Sequence, residues 1–91
     1  MFKCVKITCI AQSSQKLSTN IQKQARQLQI EGILQIVDAH NIRIIASGPK
    51  EKIDLFIDAL YKLGSAQKPF SLEVEPFLKD KDYRGIFRVI E

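Results

Sequence analysis

The most constraining feature of this chain is a change of hydrophobic period inside one continuous stretch, "ILQIVDAHNIRIIASGPKEKIDLFIDALYKLG". Its first half holds two β-branched runs around "DAHN", the pattern of two strands joined by a turn. Its second half places Ile53, Phe56, Ile57 and Leu60 at helical spacing. A chain that alternates strand and helix periods in this order must lay helices on a sheet. The hairpin reads as Ile33–Val37 paired with Ile42–Ser47, with His40 or Asn41 taking any positive φ that the turn needs. The helix starts at Pro49, which has no N–H to leave unsatisfied at a first helical position. Glu51 suits the positive end of the helix dipole and Lys62 the negative end. Gly64 is expected to stop the helix in a left-handed conformation.

The flanking segments follow the same grammar. Val5, Ile7, Cys9 and Ala11 alternate with Cys4, Lys6 and Thr8, so residues 3–11 read as a strand. Leu17, Ile21, Ala25 and Leu28 then recur on one helical face, with Ser18 as the expected N-cap. Residues 65–69 read as a loop, "FSLEVEPF" as a strand with Pro76 at its edge or end, "LKDKDYR" as a charged loop and "GIFRVI" as a closing strand. The order is β-α-β-β-α-β plus a terminal strand. It implies an α+β, ferredoxin-like sandwich with two helices on one face of an antiparallel sheet. Ninety-one residues with 45% hydrophobic content suit a single domain spanning 1–91.

Composition excludes several function classes. No apolar run reaches the roughly 20 residues of a membrane span, and "MFKCVKITC" lacks the apolar core of a signal peptide. The cytoplasm is therefore the expected location. Cys4 and Cys9 fall on opposite faces of one strand and cannot bridge each other. With one histidine, His40, and no CxxC pair, neither a metal site nor any other cofactor is expected. The net charge of +4 resides in residues 1–48, but its lysines and arginines are spread over several elements, as on a solvated surface. The strands that would carry stacking platforms, "CVKITCI" and "IRIIAS", contain no aromatic residue, which argues against nucleic-acid binding on the sheet.

The stretch "EGILQIVDAHNIRIIASGPKEKIDLFIDAL" resembles the acylphosphatase family, whose chains run glycine, strand, turn, strand and then "A-x-G-P-x-E" into a helix. "ARQLQIEG" is similar to the family's "A-x-x-L-G-L-x-G", with Gln29 at a glycine position, and the final "FRV" is similar to its closing strand. The likeness covers nearly the whole chain, loosely over residues 65–83. It implies an acylphosphatase-like α/β sandwich. Its implied chemistry is hydrolysis of acyl phosphates in a glycine-rich turn of the form G-x-V-Q-G-V-G-F-R. Backbone amides and an arginine of that turn hold the phosphate, and an asparagine of the second strand orients water.

Carried across residue by residue, Ser18 takes the arginine position and Ile36 the asparagine position. A hydroxymethyl cannot clamp a phosphoryl group, and a sec-butyl chain cannot hold a water. Ser14 and Lys16 replace glycines of the cradle. The resemblance therefore implies a degenerate site and a binding or structural module, with no catalytic residue of the family kind. The alternative is an active acylphosphatase with relocated groups. Lys16 or Arg43 would then supply the cation, and Asn20 or Gln35 the water contact, although Gln35 faces the opposite side from Ile36. The expected ligand class is a small anion or a phosphorylated molecule at Gln12, Ser13, Ser14, Gln15, Lys16 and Ser18.

Overall fold

A computed structural model describes residues 2–65, 70–76 and 87–90. The elements are β1 (Phe2–Ile10), α1 (Ser14–Gln27), β2 (Glu31–Ile36), β3 (Asn41–Pro49), α2 (Lys50–Ser65), β4 (Ser71–Pro76) and β5 (Phe87–Ile90). The expected charged loop "LKDKDYR" and residues 66–69 lie outside the described residues. The five strands form one sheet in the order β4-β1-β3-β2-β5. Alternation decides which face is covered. Val5, Ile7 and Cys9 of β1, Leu34 of β2, and Ile42, Ile44 and Ala46 of β3 all point to one side. Leu17, Ile21 and Ala25 of α1, and Ile53, Phe56 and Leu60 of α2, meet them there. Phe87 of β5 closes this core edge-on to Phe56, with ring centroids 6.1 Å apart.

The sheet departs from the all-antiparallel expectation at one edge. Pairs β1–β3, β1–β4 and β2–β3 are antiparallel, whereas β5 runs parallel to β2. The two edge strands β4 and β5 run in opposite directions, β4 antiparallel to β1 and β5 parallel to β2. Pro76 ends β4, which is an edge strand, where a missing N–H costs no ladder bond.

Three glycine-type positions explain local geometry. Gly32 has φ +146, and a Cβ there would overlap the carbonyl of Ile45 on the paired strand. Gly64, expected as a left-handed stop, instead stays inside α2, which runs on to Ser65. Its lack of a side chain makes room for the Phe70 ring, which lies directly over it. The left-handed turn occurs at the end of α1, at Gln29 with φ 58. There the Ile30 amide donates to Ala25 over 2.9 Å and the Gln29 amide to Arg26 over 3.1 Å, a Schellman closure.

Candidate functional site

The start of α1 lies five residues earlier than expected. Ser13, with φ −140 and ψ 111, is the N-cap, and Ser14 is the first helical residue. Ser18 is thus not a cap. It sits in the second turn, 6% exposed, and its hydroxyl donates back to the Gln15 carbonyl at 2.8 Å. The helix starts at Ser14 because its end is closed from outside the local sequence. The Ser14 amide donates to the Ala39 carbonyl over 2.9 Å, and the Ser14 hydroxyl donates to the Asp38 carbonyl over 2.7 Å. Ser13 makes no side-chain cap bond of its own. First-turn amides normally lack intrahelical acceptors, and here the β2–β3 turn supplies one.

That turn holds its shape without positive φ, because neither His40 nor Asn41 adopts it. Asp38 does the work instead. Its Oδ1 accepts the amides of His40 and Asn41, each at 2.9 Å, and the Asn41 Nδ2 at 2.8 Å. These bonds stabilise the carboxylate and hold its pKa below the ordinary aspartate value, the His40 amide contributing most. The Asn41 carbonyl accepts the Val37 amide at 3.0 Å and closes the hairpin.

Between α1 and this turn lies an open pocket of about 340 Å³, lined by Ser13, Ser14, Gln15, Ile36, Asp38 and Ala39. The structure thus places Ser13, Ser14 and Gln15 beside Ile36 in the lining of this pocket. Gln12, Lys16 and Ser18 are not among the lining residues. Arg43 of β3 pairs with Gln35 of β2, one residue out of phase with the core-facing Ile42 and Ile44. It projects from the helix-free face, across the sheet from the pocket. Asn20 is exposed on α1, well past its first turn.

Asp38, Ala39 and His40 were not among the expected site residues. The available signal was the spacing of Asp38 and Asn41, since an aspartate opening a turn bonds the amides two and three residues on. Charge at the pocket is unfavourable to an anion. Its lining carries a carboxylate and no cation, and the strongest donor set, that of Ser14, is already bonded. The buried Cys9 thiol, pushed up to about 11 by desolvation, is a core group and not a nucleophile. Among the described residues no cluster of histidine, cysteine and acidic groups has the make-up of a metal site. No helix of those residues is long and apolar enough to cross a membrane.

Solved structures provide the comparison. An acylphosphatase from Coxiella burnetii superposes with a TM-score of 0.78 at 20% identity, over 97% of this chain and 92% of that one. The fold is acylphosphatase-like. An acylphosphatase from Bacillus subtilis matches over the full length of both chains, with a TM-score of 0.73 at 16% identity. Full-length HypF, in its phosphate- and nucleotide-bound form, contains a similar unit with a TM-score of 0.82 at 15% identity. All of this chain is covered in that match, but only 12% of HypF. No protein-family model and no curated protein matches the chain. At these identities the likeness of the acylphosphatase-like domain is one of fold.

Proposed function

We propose that this acylphosphatase-like domain is catalytically degenerate and acts as a binding or structural module. One observation carries the reading: at the start of α1, where the family's phosphate would be held, the Ser14 amide and hydroxyl are already taken by the protein's own β2–β3 turn. The carbonyls of Asp38 and Ala39 take the Ser14 hydroxyl and amide, and the Asp38 carboxylate adds negative charge beside them. A transferring phosphoryl group needs donors and a cation in that place. Ser18, at the arginine position, faces inward, and Ile36, at the asparagine position, lines the pocket with hydrocarbon. Losing one preorganised transition-state contact typically costs about 2.7–4 kcal/mol, or ~10²–10³ in rate. Losing two together with the cradle removes the family's advantage over water.

Hydrolysis of benzoyl phosphate by the purified protein tests this directly, and the expected result is a rate indistinguishable from buffer. Turnover abolished by Lys16→Ala would overturn the reading in favour of relocated catalytic groups. Calorimetric titration with inorganic phosphate and sulfate separates the ligand question from the catalytic one. Weak binding would support a residual anion module, and none would support a structural or protein-binding role.

A further inference from the structure

We propose that His40 is a positioning residue that locks the two walls of the pocket together through a ring protonated at Nδ1. One wall is the chain entering α1, Ser13 to Gln15, and the other is the β2–β3 turn with Ile36. His40 belongs to the second wall and reaches the first. Its Nδ1 lies 3.0 Å from the Gln12 carbonyl oxygen and 3.3 Å from that of Ala11. Both neighbours are acceptors only, so the nitrogen between them must carry the proton. In either the neutral Nδ1–H ring or the cation it is a donor.

The backbone of the same residue is fixed at both ends. Its amide donates to Asp38 Oδ1 at 2.9 Å, and its carbonyl accepts the Ala11 amide at 2.9 Å. The Ser14 bonds to Asp38 and Ala39 complete the set. Residues 11–14 and 38–40 are thus cross-linked by main chain, hydroxyl and imidazole beside the pocket. Of these links only the imidazole is a side chain that reaches across from the turn. Its deletion therefore loosens the interlock without altering the core. The inference concerns the geometry of the pocket and not its ligand, so it stands or falls separately from the loss of catalysis.

Long-range proton–nitrogen correlation of the neutral ring at alkaline pH should show the proton on Nδ1, the reverse of free neutral histidine. Amide exchange at Ala11 and Ser14 should be about five- to tenfold faster in His40→Phe, as expected for the loss of one hydrogen bond. It should return to the wild-type rate in His40→Asn, whose side-chain amide can reach the Gln12 carbonyl. A ring protonated on Nε2, unchanged exchange in His40→Phe, or equal acceleration in the two variants would overturn the proposal.

Discussion

The two helices of this domain start in contrasting ways. At α2 the determinants are local. Pro49 closes β3 immediately before Lys50, Glu51 lies in the first turn, and Lys50 reaches Asp54 over 3.5 Å one turn later. At α1 the first turn has no acidic residue and the N-cap side chain makes no bond. Its closure comes from residues 24 positions away, through the contact of Ser14 with Asp38. A helix whose start is encoded nearby tolerates change elsewhere, whereas one closed by a distant turn ties its end to that turn. In this domain the start of α1 is held by the β2–β3 turn through the Ser14 bonds to Asp38 and Ala39.

The contrast can be broken in graded steps. Phe56→Ala should have the largest effect, because the ring is fully buried beneath α2 and packs on Phe87. About 3–5 kcal/mol of stability should be lost in denaturant unfolding, with α2 detached and α1 affected only through global unfolding. Ser14→Ala should cost about 1–2 kcal/mol, since it leaves the Asp38 carbonyl without its hydroxyl partner in a part-buried setting. Glu51→Gln, its counterpart at α2, should cost only about 0.3–1 kcal/mol and should be weakened further by salt. If Glu51→Gln proves the costlier of the two, the distinction between local and distant closure is wrong.

The smallest effect is one of pH. The Asp38 carboxyl is held below its ordinary value, so between the two values the unfolded chain binds more protons than the native one. Its contribution is present above the unfolded value and disappears as the pH falls through the lower folded value. Asp38→Asn should therefore reduce stability at neutral pH and flatten the acid limb of the unfolding curve. Circular dichroism across that limb is the check.

The same contrast explains what was legible in the sequence. The hairpin and α2 were readable because β-branched alternation and the Pro49–Glu51 start are short-range signals. Pro49 itself falls one residue before the helix, paired with Phe2 at the end of β3. The start of α1 was misplaced because Ser14, Gln15 and Lys16 show no apolar periodicity, and the carbonyls that close it are remote in sequence. Gly64 misled for a similar reason, since its small size serves the Phe70 ring and not a change of φ. At Gln29, by contrast, the family likeness pointed to a glycine position, and the backbone is left-handed there even with a side chain. In the site, Ile36 and Ser13–Gln15 did converge. The strand period already placed Gln35 away from them, and the same parity removes its partner Arg43. The Asp38–His40 interlock was hidden because it depends on which carbonyls the folded turn presents.

The parallel edge strand has a consequence for how the molecule is made. Pairing of Gly32 with Phe87 joins segments more than fifty residues apart, so β2 and the Phe56 ring emerge from the ribosome long before the strand that covers them. Until then β2 is an open edge with unsatisfied main-chain groups, the kind of template on which nascent chains stick to one another. The closing strand is thus a latecomer. Its arrival pairs β2, covers the Phe56 ring and moves the open edge of the sheet outward to a strand of four residues.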